Sequence, residues 1–470
     1  MLFSSNIFLW SFLPIVLIGN YLIKHKYSNI FLLIASLIFY AWGEPVYIIL
    51  MFFSIFINWL SGLSIDRVKT VINKKLILVS CIVVNILLLG YFKYYDFLVQ
   101  SFNKLMGAEI IAARQIALPI GISFFTFQAL SYVIDLYRGN CKVQKNILNL
   151  ALYVSFFPQL IAGPIVRYKD IDEQINNRET NIVGFGIGFR RFLYGLGKKV
   201  IISNCMAQIA DSIFSANIAE LSTVAAWLGA IAYMMQIYYD FSGYSDMAIG
   251  LGKIFGFDFL ENFNYPYLSQ SIREFWQRWH ISLGTWFKEY VYIPLGGNRK
   301  GQIRTFINLM IVFFLTGLWH GANWTFVLWG LYHGFFQIIE RVGFGKVLKK
   351  SKIFGTVYCL LVVIFGWVLF RADTITDAIR YITIMLMPWH NEAPSELWTI
   401  VNINNRSIII FILAILGVGF VQDVLKNKFN KLYSMWKNSY VEIVYLGIVF
   451  AYCIILLAVG TYNPFIYFRF

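Results

Sequence analysis

The sequence predicts an all-α, polytopic membrane protein with about eleven to thirteen transmembrane or re-entrant helices. Three observations carry that expectation. Of 470 residues, 59% are hydrophobic and only 13% are charged, whereas an average soluble domain carries about 25% charged residues. Apolar runs recur along the whole chain, many of them near the roughly 20 residues that a helix needs to cross a bilayer. The 39 Lys and Arg against 24 Asp and Glu, a net charge of +15, sit mostly in short loops between those runs, as the positive-inside rule expects.

The runs fall at 7–23, 30–42, 46–63, 76–98, 116–136, 147–166, 183–202, 224–241, 306–320, 323–340, 353–370, 407–424 and 440–460. The first has no basic segment before it and no small-residue cleavage site after it, so it reads as a retained helix. Lys24 to Lys26, Arg67 with Lys74 and Lys75, Arg138 with Lys142, Lys346 to Lys352 and Lys426 to Lys437 mark cytoplasmic loops, and the acidic 371–406 loop falls on the other side. Counting between them places both termini outside. The gaps 167–182 and 371–406 are too short for a soluble domain, so 1–470 reads as one membrane-embedded domain, with 461–470 as an aromatic tail.

The middle of the chain, 167–305, is richer in Gly, Tyr and charge and threads less simply. Within it Ile272, Phe275, Trp276, Trp279, Leu283, Trp286 and Tyr290 recur at helical spacing. That pattern predicts one amphipathic helix over 271–292, either interfacial or lining a cavity. Pro294 and Gly296-Gly297 end it.

Several classes drop out. No basic stripe interleaves with stacking aromatics, so nucleic acid is not an expected partner. Five scattered cysteines carry no metal or disulfide spacing, so no bound metal or cofactor is expected. No nucleophile elbow, Walker loop, zinc-protease or dinucleotide signature appears. Asp240 and Asp246 do not form an evident carboxylate pair.

The histidines are more informative. His25 and His390 lie in loops. His333, on an apolar helix, reads as a hydrogen-bonded structural residue. His320 differs: 16 residues of helix from Arg304 rise roughly 24 Å, so the turn Gly321-Ala322-Asn323 falls short of the far side of a core about 30 Å thick. Irregular backbone at that depth is tolerated only inside protein or beside a wet cavity. Catalysis and simple helix capping stay equally open from local context. His280, in the amphipathic segment, is the second candidate. The ending Phe465-Ile466-Tyr467-Phe468-Arg469-Phe470 is dense in aromatics for an interfacial anchor alone. Intramembrane polar groups also permit a transporter or flippase, but no inverted hydropathy repeat supports it.

The blocks IREFWQRWHISLGTWFKEYVYIPLGGNRKG and FLTGLWHGANWTFVLWGLYHGFF, with LPIGISFFTFQALSYVIDLYRG, FFPQLIAGPIVRY and YYDFSGYSDMAIGLGKIFGFDFLENFNYPY, closely resemble the membrane-bound O-acyltransferases, nearest the bacterial alginate and peptidoglycan O-acetyltransferase membrane subunits. The resemblance implies a multi-pass protein of the plasma or inner membrane whose helices surround a central tunnel, with an acyl donor, acetyl-CoA or an acyl carrier, entering from the cytoplasm. It implies that His320 is the essential catalytic histidine and that His280 matches the second family histidine. Arg273 and Arg278 then stand near His280 to meet donor phosphates, and Asn323 completes the candidate donor-binding set. An SGNH-type extracytoplasmic transferase is the implied partner. A related D-alanyl transfer branch uses a small partner whose C-terminal aromatic motif enters the tunnel. A similar motif is joined to this chain, with Tyr467 as possible acyl relay. D-alanyl transfer is the alternative activity within the family.

Overall fold

The structure, a computed structural model, describes residues 1–387, 401, 403–436, 439–460 and 462–466; His390 and Tyr467 lie outside them. Among the described residues every regular element is a helix. Five helices among the described residues are long and apolar enough to cross a membrane: Ile48–Arg67, Val71–Met106, Gln302–His320, Lys352–Arg371 and Tyr440–Val459. Phe8–Leu22 and Asn405–Gly417 are shorter apolar helices. Tyr440–Val459 turns Val444, Ile448 and Ile455 outward at 56–65% exposure, a surface that only lipid hydrocarbon accommodates without cost. The protein is multi-pass.

The helices follow the apolar runs, and their breaks follow local chemistry. The run 147–166 divides into Ile147–Ser155 and Phe157–Leu160 at Phe156, whose ψ of 113° leaves the helix, because Pro158 has no N–H to give to the preceding turn. The run 407–424 divides at Gly419, whose φ of 128° no side-chain-bearing residue adopts easily.

The chain forms two compact units. The first comprises Met1–Phe192 and Met247–Leu260. Its core holds a cluster of Phe3, Phe8, Phe12, Phe39 and Phe157 rings, with Phe12 and Phe157 edge-to-face at 5.3 Å. Between its two long apolar helices, the buried Asn58 and Asn85 exchange carboxamide hydrogen bonds of 3.1 and 3.3 Å. In a membrane interior such pairing satisfies groups that lipid cannot.

The second unit comprises Leu193–Asp246 and Glu261–Phe470. Its helices Gln302–His320 and Trp324–Ile339 form a hairpin packed through glycine. A Cβ on Gly317 would strike the Phe326 carbonyl, and one on Gly330 the Phe313 carbonyl. Bare glycine therefore lets the two backbones touch, the small-residue packing of membrane helices. The turn between them is closed by Asn323, whose side chain accepts from Thr325 N at 3.1 Å and donates to the Asp373 carbonyl at 3.1 Å.

Candidate active site

The predicted continuous helix over 271–292 is not continuous. It forms as Ile272–Arg278 and Ile281–Phe287, with His280 between them in the left-handed region at φ 45° and ψ 54°. For a residue with a side chain that conformation costs about 1 kcal/mol or more, so the surroundings must impose it. Asn262 does so. Its carbonyl accepts from Ile281 N at 2.9 Å, and its side-chain oxygen accepts from Ser282 N at 3.1 Å and Ser282 Oγ at 2.9 Å. The same oxygen lies 3.2 Å from His280 Nδ1, and Asn262 Nδ2 donates to Ser245 Oγ at 3.0 Å. Asn262 thus fixes the ring through Nδ1 as well as the backbone. Nε2 has no hydrogen-bond partner among the described residues.

The first short helix is held at its N-terminus. Ser271 Oγ accepts from Glu274 N at 3.1 Å, and the Glu340 carboxylate accepts from Ile272 N at 2.6 Å and Arg273 N at 3.1 Å. A carboxylate on two N-terminal amides is the favourable end of the helix dipole. It also fixes where Arg273 starts.

Beside these helices lies a cavity of about 570 Å³. Exposed Arg273, Lys288, Arg299 and Arg341 line its open part, while buried His280, Leu309, Phe313 and Thr316 line its interior. Among the described residues no carboxylate lines it. Arg273 and Arg341 also face an adjoining cavity of about 430 Å³ bordered by Lys346 and Lys349 and by two carboxylates, Glu274 and Glu340, already engaged with Arg278 and with helix amides. The arrangement suits an elongated ligand with an anionic head and an uncharged reactive end.

His320 is not among the lining residues, but it continues their row. Leu309, Phe313 and Thr316 share one face of Gln302–His320, and His320 follows Thr316 one turn on. The imidazole is 7% exposed and sits among Trp319, Trp329 and Phe370, with ring centroids 5.0, 5.0 and 5.3 Å away. Trp319 also packs on His280 at 5.8 Å. The two histidines are therefore separated by one indole. Phe241 closes the other side of His280 at 4.5 Å, edge-to-face.

The other sequence-predicted residues fall as follows. Arg273 reaches the cavity. Arg278 does not line it; its guanidinium pairs with Glu274 at 2.7 Å. Asn323 lies beyond His320, on the far side from the cavity-lining stretch, and is occupied in capping. His333, expected to be hydrogen-bonded, instead has neither ring nitrogen so engaged among the described residues and is held by the Trp276 and Trp329 rings, each at 5.2 Å. Tyr467 is outside the described residues, but Phe465 and Ile466 before it are buried. Sequence reasoning missed Asn262, Lys288, Arg299, Arg341 and Glu340. Spacing offers no signal for Asn262, Glu340 and Arg341, because each meets the 271–287 segment from elsewhere in the chain.

A multi-pass helical protein that carries a buried histidine one turn beyond a cation-lined cavity has the makings of a membrane-embedded transferase. Residues 142–376, which include His280 and His320, match the sequence model of the membrane-bound O-acyltransferase family, and the chain belongs to that family. It is an O-acyltransferase. Over the full length of both chains it is 41% identical to the probable alginate O-acetylase AlgI of Pseudomonas putida. It is 36% identical to the peptidoglycan O-acetyltransferase of Helicobacter pylori, over 82% of this chain and 80% of that protein. Similarity to the teichoic acid D-alanyltransferase of Bacillus subtilis, at 32%, spans 50% of this chain and 61% of that protein.

Proposed function

We propose that this protein moves an acetyl group from a cytoplasmic thioester donor, acetyl-CoA or an acyl carrier, across the membrane for O-acetylation of an extracytoplasmic polysaccharide. The observation that carries the reading is the single row from the cation-lined cavity to His320 along one helix face. Arg273, Lys288, Arg299 and Arg341 meet the donor's phosphates. The uncharged acyl arm lies against Leu309, Phe313 and Thr316, with His280 beside the thioester. His320 takes the proton from the attacking hydroxyl as its oxygen bonds to the acyl carbon. The carbon–sulfur bond then breaks, and the imidazolium returns the proton to the departing thiolate. Tyr467 supplies that hydroxyl, and an SGNH-type partner takes the acetyl group from the resulting aryl ester.

Two measurements test this. Deleting the chain's coding sequence should remove O-acetyl groups from the extracellular glycan, read by mass spectrometry, and complementation should restore them. Retained O-acetyl groups with lost D-alanyl esters would instead assign D-alanyl transfer. Within the site, Arg273→Glu or Arg341→Glu should raise the donor KM by about tenfold or more, the scale of a lost charged hydrogen bond, and lower kcat less. Arg278→Ala, whose charge rests on Glu274, should leave KM within about twofold. An unchanged KM in Arg273→Glu contradicts the assignment of the cavity to the donor.

A further inference from the structure

The apolar run 183–202 carries two consecutive lysines, Lys198 and Lys199, where charge is expensive to bury. Each has an aspartate: Lys198 lies 2.6 Å from Asp246 and Lys199 2.7 Å from Asp240. The second pair is almost wholly enclosed, with side chains 3% and 0% exposed. A buried pair needs further hydrogen bonds to its remaining polar positions, and here the C-terminal segment provides them. Lys199 Nζ donates to the Pro464 carbonyl, and Asp240 Oδ2 accepts from Ile466 N at 2.8 Å.

We infer that Lys199 and Asp240 form a clamp that reads the main chain of the C-terminal segment and fixes how deeply it enters the protein. Both contacts are to backbone, one carbonyl and one amide, two residues apart on either side of Phe465. The clamp thus specifies register and depth and leaves the side chains free to pack. Around it, Asn204 Nδ2 donates to Asn463 Oδ1 at 3.2 Å, and the Tyr462 hydroxyl donates to Asp211 at 2.5 Å. The Phe465 ring packs at a tilt against Tyr244, centroids 5.0 Å apart, with the Lys199 ammonium 5.9 Å over it. Ile466 joins the same apolar core as Phe241 and Trp279.

The placement gives the clamp a purpose. Asp240 is followed by Phe241, the ring that closes His280. Ile466, hydrogen-bonded to Asp240, is therefore held one residue along the chain from a ring that packs on His280, and Tyr467 is the next residue in the sequence. The docking stands on the contacts alone; its consequence for transfer rests on the relay proposed above. Lys199 and Asp240 are positioning residues in that relay.

Hydrogen–deuterium exchange on the full-length protein in nanodiscs tests the clamp, read on the peptide that carries residues 462–466. Wild type should protect the Ile466 amide. Lys199→Met and Asp240→Ala should accelerate its exchange roughly 10- to 100-fold, the scale of one charge-assisted hydrogen bond. Lys199→Arg, which still donates, should keep protection, as should Ile466→Val. Ile466→Pro removes the donated N–H; it should release the neighbouring tail amides while exchange in Gln302–His320 stays unchanged. Wild-type tail protection in Lys199→Met or Ile466→Pro overturns the clamp. Glycan acetylation in the same strains separates the two ideas: a released tail with normal acetylation keeps the clamp and removes the relay.

Discussion

His320→Ala is expected to lower acetyl transfer by roughly 10²–10⁴-fold, the contribution of a positioned acid–base group. The phenol or alcohol that attacks a thioester is almost fully protonated at neutral pH, since a phenol has a pKa of about 10. Without a base the attack must produce its oxyanion unaided. Alanine also empties a space between Trp319, Trp329 and Phe370, and the cavity alone costs stability, about 2–5 kcal/mol for large-to-small changes in a packed core. His320→Asn separates the two effects. It keeps a planar polar side chain in the aromatic cage but offers no base near neutral pH. The expected result is activity as low as in alanine with a melting temperature closer to wild type. A well-folded His320→Asn protein that retains more than about a tenth of wild-type kcat/KM excludes the general-base role.

Tyr467→Phe should abolish glycan acetylation without lowering the amount of protein in the membrane. The substitution removes one oxygen and keeps the ring, so an anchoring role would survive it nearly intact. As a nucleophile the hydroxyl is indispensable, because the acyl–oxygen bond of the intermediate forms at that atom. The seating of Phe465 and Ile466 inside the protein, with the Ile466 amide on Asp240, favours the nucleophilic role, since an interfacial anchor has no need of buried main-chain contacts. Normal acetylation in Tyr467→Phe leaves the tail as a packing element only.

Much of the fold was legible because hydropathy is a local property. A stretch such as 353–370 forms the helix Lys352–Arg371 almost regardless of its neighbours, and His320 stood out because its turn lay at an expensive depth. What escaped the sequence depends on contacts between distant residues. The stripe through Ile272, Phe275, Trp279 and Leu283 keeps helical spacing across the break at His280, so periodicity alone reads straight through it. The interruption comes from Asn262, whose carbonyl takes the Ile281 N–H that a continuous helix would use internally. Arg278 was equally misleading: its spacing from Arg273 invites a shared role, yet Glu274 one turn earlier holds it. Asp240 and Asp246 looked unpaired with each other, and the structure joins each to a lysine of another helix. The tail's aromatics were visible, but its receptor was not.

The direct test of acyl relay is mass analysis of the C-terminal peptide after the purified protein meets acetyl-CoA with no downstream transferase present. The mechanism predicts one acetyl group, on Tyr467, in wild type and none in His320→Asn. A wild-type protein that consumes the donor and supports glycan acetylation, yet never carries acetyl on Tyr467, contradicts it.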